Sequence, residues 1–226
     1  MTHLKADSLL PFIKQARVEL KEADLVVLAA RSGAKYKRLD EGRGELRLTL
    51  WGQGYLVIYP EFIAYEEESG EICSPWRQAL FLHYLRTADG QPLADRWVSL
   101  REIEGGEFYH RASQGYSGDR LAKHFGNDIE AFRLAAERAG GERRDLGDAF
   151  YSFLALPRLP LVVIYWKGDE EFPPTAQVLF DASAGHYLPV DLLSLLGSEL
   201  CDRIIRAASE GREEVKRWEW LKNTPR

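Results

Sequence analysis

Two stretches of the chain carry the same order of sequence patterns, three strand-like segments followed by a helix-like segment. In residues 45–86, leucines alternate with polar residues in ELRLTLW, two more apolar segments follow, and Ser74 with Pro75 then opens a helix. In residues 150–206, three apolar segments precede a leucine-rich helix that begins at Pro189. This order predicts an α+β fold in which two strand clusters form an antiparallel sheet and helices pack on it.

A weak similarity between the two stretches hints at an internal pseudo-repeat. The strings LVIY at 56–59 and VVIY at 162–165 fall on comparable predicted strands. Chance agreement between short β-rich strings explains the similarity at least as well. The repeat is therefore carried forward as a hypothesis about the fold.

Three other segments predict local elements. Apolar residues spaced by three and four from Leu9 to Val27 predict one long amphipathic helix that Gly33 can end. The segment RWVSLREI at 96–103 predicts a strand, and the segment NDIE beginning at Asn127 predicts a capping box at the start of another helix. These elements would connect and flank the two strand clusters.

The length favours one domain over two. With 226 residues, a single compact domain over 1–226 can bury a core large enough to need no disulfide or metal. The segment 208–226 reads as a charged helical extension, and we expect its Trp218 and Trp220 to dock on the body of the domain.

Composition and charge narrow the class of partner. The net charge of −5 disfavours nucleic acid, which needs a basic face, and the apolar runs are too short to span a membrane. The first residues show no apolar signal segment, so we expect a cytoplasmic protein with Cys73 and Cys201 reduced. Cys73 precedes a helix N-terminus, a position that can lower the pKa of a thiol. A small molecule or a protein partner stays open.

Two longer segments resemble a known family. They read LFLHYLRTADGQPLADRWVSLREIEGGEFYH and GDEEFPPTAQVLFDASAGHYLPVDLLSLLG. Both are similar to an uncharacterised domain-of-unknown-function family of anaerobic bacteria and archaea, over about residues 10–206. Some relatives carry a cysteine-rich iron–sulfur motif fused to this domain, which this chain lacks. The resemblance implies a setting in anaerobic metabolism and no particular reaction.

An acidic loop is the first candidate site. Asp169, Glu170 and Glu171 supply oxygen ligands of the kind that divalent metals use. Their spacing is not that of an EF-hand, and the two prolines that follow make the loop stiff. A solvated hairpin connection, with Phe172 tucked inward to pin the turn, explains the same residues.

Asp181 and Arg101 are the next candidates. Asp181 follows a strand and can act as a ligand or nucleophile, or can cap the next turn through its side chain. On the predicted strand, an inward Arg101 would meet Glu170 or Asp181 as a buried ion pair, or would clamp a carboxylate or phosphate.

The histidines offer no short metal-binding spacing. His83 lies on the apolar stripe of its predicted helix. This position suits a histidine packed in the core and also suits an axial ligand of haem or corrinoid. His110 follows Phe108 and Tyr109, and His186 precedes Tyr187, so each combines an aromatic body with a polar tip. Such a pair suits a planar ligand and also suits ordinary surface packing.

Three functions follow, and whether the protein is an enzyme stays open. The first is a non-catalytic accessory protein that binds a small molecule or cofactor through residues spread over the second half of the chain, which are Trp97, Arg101, Tyr109, His110, Asp181 and Tyr187. The second is a metal-dependent hydrolase or transferase that uses Asp169, Glu170, Glu171 and Asp181. The third is a tetrapyrrole binder with His83 or His110 as ligand.

Overall fold

The computed structural model describes the backbone of residues 6–223 and the side chains of residues 9–210. The chain divides into two compact units. Unit 1 contains residues up to Arg96, together with Leu154–Pro160 and Asp181–Leu193, and unit 2 contains Trp97–Phe153, Leu161–Phe180 and the chain from Ser194 onward. The single compact domain stays a prediction of the sequence.

The N-terminal segment forms two helices rather than the one that we predicted. Helix α1 spans Ala6–Lys21 and helix α2 spans Leu25–Ser32. The break has a local cause, because Asp24 adopts an extended backbone and its carboxylate accepts hydrogen bonds from the N–H groups of the new first turn. Gly33 ends α2 in the left-handed conformation, at φ 71°, as expected.

The sheet of unit 1 is an antiparallel meander of four strands in chain order. Alternate side chains of its second strand are buried, as the leucine alternation predicts. Its first strand was not predicted, because nearly all of its side chains are polar and exposed at the sheet edge. The strands are β1 Lys35–Asp40, β2 Arg43–Leu50, β3 Gln53–Tyr59 and β4 Ile63–Glu66.

Helix α3 follows this meander and spans Pro75–Thr87. Ser74 caps it and proline occupies its first turn, as predicted. Gln78 joins the helix to the sheet, since its amide accepts from Ala64 N at 2.9 Å and donates to Ala64 O at 2.7 Å. Helix α1 packs against α3, with Arg17 donating to the same Gln78 side chain at 3.0 Å.

The second sheet has five strands in the order β5-β9-β8-β7-β6. The pairs β6–β7 and β8–β9 are antiparallel. Strands β7, β8 and β9 are consecutive in the chain and precede a long helix. The order of three strands and a helix, already seen in β2, β3, β4 and the helix that follows them, therefore recurs here. The strands are β5 Trp97–Val98, β6 Glu142–Arg144, β7 Ala149–Leu156, β8 Leu159–Trp166 and β9 Thr175–Asp181.

Four more helices complete the described chain: α4 His110–Tyr116, α5 Gly118–Phe125, α6 Ile129–Arg138 and α7 Val190–Asn223. The predicted cap of α6 is displaced by one residue. Asp128, not Asn127, accepts from the first turn of α6, and the Asn127 side chain instead accepts from Gly168 N at 2.8 Å. Trp218 and Trp220 lie outside the described side chains.

The predicted strand over 96–103 is wrong beyond Val98. Ser99 caps a short 3₁₀ turn, Leu100–Glu102, instead. The Glu102 carboxylate folds back and accepts from both the backbone N–H and the hydroxyl of Ser99 at 2.8 Å. This capping box ends the strand before Arg101. Arg101 therefore lies in the 3₁₀ turn, and the alternation of side chains between the two faces of a sheet does not apply to it.

Within residues 6–223, no helix is long and apolar enough to cross a membrane.

Candidate functional site

A cleft of about 220 Å³ opens in unit 2. Its walls come from the 3₁₀ turn at Leu100–Glu102, from helix α4 and from strand β9. Arg101 and His110 both line it, so the structure brings two of the predicted ligand-binding residues to one cavity. We call this cavity the Arg101 cleft.

Two glycines allow the walls to approach closely. A Cβ atom on Gly106 would lie 1.7 Å from the carbonyl oxygen of Leu100, and a Cβ atom on Gly118 would lie 2.0 Å from the carbonyl oxygen of Ala176. Any larger residue would push the 3₁₀ turn or the start of α5 away from its neighbour. Within the segment GYSGD at 115–119, Gly118 therefore serves close backbone packing.

Hydrogen bonds fix the helical wall of the cleft. The buried Ser117 hydroxyl donates to Ser113 O at 2.6 Å, and the Gln114 amide donates to Asp119 Oδ1 at 2.8 Å and to Ala176 O at 2.9 Å. These bonds tie α4 to α5 and to β9. Sequence reasoning missed Ser113, Gln114 and Gln177 as lining residues, because no linear motif marks them.

Arg101 differs from its predicted environment. Its side chain is 61% exposed rather than buried, and its Nε lies 2.9 Å from Glu107 Oε2. The expected partners, Glu170 and Asp181, are not the ones observed. The short 3₁₀ turn causes the difference, because it directs residue 101 to the rim of the cleft instead of into a sheet face.

Trp97 and Tyr109 are not among the described residues that line the cleft. Trp97 packs against a buried cluster of Phe150, Val162 and Ile164. Tyr109 is 43% exposed and accepts a backbone hydrogen bond from Ser113 at the start of α4. Both residues thus contribute to packing and helix capping around the site.

Asp181 and Tyr187 belong to a different arrangement, within unit 1. Asp181 is 1% exposed, and its Oδ1 accepts from Ala94 N, Ser183 N and the Ser183 hydroxyl at 2.9, 2.9 and 2.6 Å. The Tyr187 hydroxyl donates to Gln91 O. These contacts hold the irregular loop at 88–96, and we call them the loop tether.

Burial and hydrogen bonding act in opposite directions on Asp181. Burial raises the pKa of its carboxyl, but the hydrogen bonds from Ser183, Ala94 and Asp95 outweigh burial and leave the pKa lowered. Asp181 is therefore a charged structural acceptor at neutral pH. This outcome matches the turn-capping alternative that the sequence allowed for it.

His186 adds an exposed contact to the loop tether. Its Nδ1 lies 2.7 Å from Asp89 Oδ2, with both side chains about half exposed. The hydrogen bond from His186 lowers the pKa of Asp89. An aromatic contact joins the loop tether to helix α3, since the rings of Tyr187 and Tyr84 stack with their centroids 6.0 Å apart.

The region that builds both features matches a family of proteins. Residues 24–203 match the sequence profile of the family described as Domain of unknown function (DUF3786). The chain belongs to this family. No curated protein and no solved structure matches the chain.

Parts of the two segments that resemble the family form three local structures. The phrase WVSLRE forms strand β5 and the capped 3₁₀ turn of the cleft. The phrase LFDASAGHYLP supplies the acceptor and tyrosine of the loop tether. The phrase GDEEFP forms the acidic loop between β8 and β9.

The acidic loop is closed by its own backbone. Asp169 Oδ1 accepts from Glu171 N at 2.9 Å and from Phe172 N at 2.8 Å, and these two bonds lower the pKa of Asp169. Within the described residues, no group of three acidic, histidine or cysteine side chains is placed to hold a metal ion. Phe172 is 66% exposed, so the expectation that it tucks inward is wrong.

His83 is packed as a core-type histidine. Its ring stacks on Phe12 at 3.5 Å, and its buried Nδ1 has no hydrogen-bond partner among the described residues. Burial, helped by the charge of Arg86, lowers the pKa of His83 to about 4, so the ring is neutral at pH 7. The tetrapyrrole-ligand alternative for His83 stays a prediction.

The two cysteines are buried and free. Burial, and next the charge of Glu66, raise the pKa of Cys73 to about 11, and burial also raises the pKa of Cys201. The helix N-terminus that follows Cys73 does not make it a thiolate. A reactive cysteine is therefore disfavoured at both positions.

Proposed function

We propose that the protein binds a small polar molecule in the Arg101 cleft and acts as an accessory binding protein. The observation that carries the proposal is the convergence of Arg101 and His110 on one cavity from two separate elements. Hydroxyl and amide groups of α4 and β9 lie beside an apolar floor in the same cavity. A few polar groups on an apolar lining are typical of ligand pockets.

The volume limits the size of the ligand. About 220 Å³ falls below the range of roughly 300–1,000 Å³ that is usual for drug-sized ligands. A small metabolite fits this space better than haem or a corrinoid does. This favours a compact ligand over the tetrapyrrole that His110 alone would suggest.

The proposed setting is anaerobic metabolism. This part rests on the resemblance of the sequence phrases to a family of anaerobic bacteria and archaea. Under this proposal, relatives fused to an iron–sulfur motif place a redox centre next to the same binding domain. The Arg101 cleft would then hold a metabolite near that centre in those relatives.

A matched pair of tryptophan variants tests the binding site. Gln177 lines the cleft from β9, whereas Thr175 is an exposed residue of the same strand that does not line it. Saturation-transfer NMR of the full chain with a library of small metabolites should detect binders. We expect Gln177→Trp to abolish their signals and Thr175→Trp to leave them unchanged.

Two results would overturn the proposal. The first is a wild-type chain that binds no compound of the library. The second is binding that survives equally in both tryptophan variants, which would place the ligand outside the cleft.

A further inference from the structure

We infer that the ligand of the Arg101 cleft is a small carboxylic acid with an apolar body, held through its carboxylate by the guanidinium of Arg101. The inference rests on the proposed function and names the chemistry of its ligand. Four features of the cleft lead to it: the charge of its lining, the orientation of Arg101, the neighbouring carboxylates and the apolar floor.

The lining of the cleft includes one cationic side chain. Arg101 is the one permanently charged side chain among the described residues that line it, and no carboxylate lines it. The other polar lining groups are hydroxyls, amides and the imidazole of His110. A ligand with one negative charge would therefore meet the guanidinium of Arg101 beside hydroxyl, amide and imidazole groups.

Glu107 orients the guanidinium of Arg101 but occupies only part of its N–H donors. The Glu107 carboxylate contacts Nε of Arg101 at 2.9 Å. A guanidinium has five N–H donors, and its two terminal nitrogens can bind a carboxylate in a bidentate manner. Glu107 thus fixes the side chain from one edge and leaves the terminal edge for a ligand.

A second nearby carboxylate is already committed. Glu102 is adjacent in sequence to Arg101, but its Oε2 accepts from Ser99 N and from the Ser99 hydroxyl. The capping box therefore turns this negative charge toward the Ser99 donors. Three glutamates follow Arg101 within six residues: Glu107 contacts its Nε, Glu102 is committed to Ser99, and Glu104 does not line the cleft.

The floor of the cleft selects for an apolar body. Leu100 and Val178 are buried, and together with Leu179 they line the cavity beside its polar groups. A bare, doubly charged phosphate would leave this apolar surface uncovered and would find only one fixed cation. An aliphatic or aromatic carboxylate covers the apolar surface and matches the single charge.

Arg101 can be replaced without losing the fold. The Arg101–Glu107 pair is exposed on both sides, at 61% and 63%, and exposed ion pairs contribute little to the free energy of unfolding. Variants at 101 therefore report on binding. Arg111 offers a matched control, because it is an exposed arginine on α4 that does not line the cleft.

The test compares benzoate with benzamide, which has nearly the same shape and no charge. Titrations of the full chain followed by ¹H–¹⁵N NMR should show that benzoate binds wild type about ten-fold more tightly than benzamide does. Arg101→Gln should weaken benzoate binding about ten-fold or more, and Arg111→Gln should leave it unchanged. Inorganic phosphate should bind more weakly than benzoate.

The possible failures are distinguishable. If benzamide binds as tightly as benzoate, or if Arg101→Gln has no effect while Gln177→Trp abolishes binding, the carboxylate inference falls and the proposed binding site stands. If phosphate binds more tightly than benzoate, the inference that the ligand has an apolar body is wrong. If Gln177→Trp leaves binding of every compound intact, the proposed function itself falls.

Discussion

In the Arg101 cleft, polar side chains border open volume, whereas in the loop tether similar side chains are bonded to the protein itself. Arg101 and His110 line a cavity of about 220 Å³. Asp181 and Tyr187 contact the backbone of a loop that is 87 to 96 residues away in the chain. The difference shows that polar and aromatic composition alone does not mark a binding site, because the same composition also closes loops. The decisive property is whether the polar side chains also border open volume, since Arg101, Gln114 and Ser117 are hydrogen-bonded and still line the cleft.

The largest expected effect comes from a substitution that breaks the loop tether. Asp181→Ala should lower the free energy of unfolding by about 2–4 kcal/mol, because the buried donors of Ser183 and the partly buried N–H of Ala94 lose their acceptor. Urea denaturation measures this change. Asp169→Ala is the control, since it removes an exposed Asx-type acceptor and should cost much less. Equal losses in the two variants would contradict the role of Asp181.

The next effect concerns the wall of the cleft. Gly118→Ala should lower the free energy of unfolding by about 1–3 kcal/mol, because its Cβ atom would clash with Ala176 O. Gly115→Ala is a matched control on the same segment, since nothing lies within 4 Å of its Cβ position. The control should be neutral or should stabilise α4 by up to about 1 kcal/mol. Thermal and urea denaturation of both variants test the pair.

A pH dependence of stability tests the charged carboxylate of the loop tether. The folded-state pKa of Asp181 lies below its unfolded value of about 3.9, so its contribution to stability is complete above about pH 4 and is lost as pH falls through the folded pKa. Asp181→Asn should therefore be less stable than wild type at pH 7, and the gap should shrink below pH 4. A gap that grows in acid would contradict this assignment.

The smallest expected effect lies at the exposed edge of the tether. His186→Ala removes the hydrogen bond that lowers the pKa of Asp89, so that pKa should rise toward its ordinary value. A carboxyl-carbon NMR titration of Asp89 measures the shift. Stability at pH 7 should change far less than in Asp181→Ala. An unchanged Asp89 titration would show that the Asp89–His186 contact does not persist in solution.

Periodic patterns predicted most elements of the fold. Alternating leucines in β2, the Ser74–Pro75 start of α3 and the apolar strands β7 to β9 all occur where the sequence places them. These features are local, because they depend on side-chain spacing along one element. Two of the exceptions also have local causes, since Asp24 splits the first helix and Ser99 with Glu102 ends β5 early.

The candidate site was only partly predictable. The sequence indicated Arg101 and His110 but grouped them with Asp181 and Tyr187, which the structure uses to hold a loop. Ser113 and Gln177 carry no signal, because their placement depends on how α4 and β9 approach each other. Gly118 permits that approach, and its role became visible only from the position of Ala176 O.

The sequence by itself determined the α+β class, the order of most strands and helices, and the list of polar residues from which a site could be made. It did so because side-chain periodicity and capping preferences act over a few residues. The tertiary structure decided which of those polar residues are already satisfied and which face a cavity. That distinction depends on hydrogen bonds between residues far apart in the chain, and no local pattern encodes them.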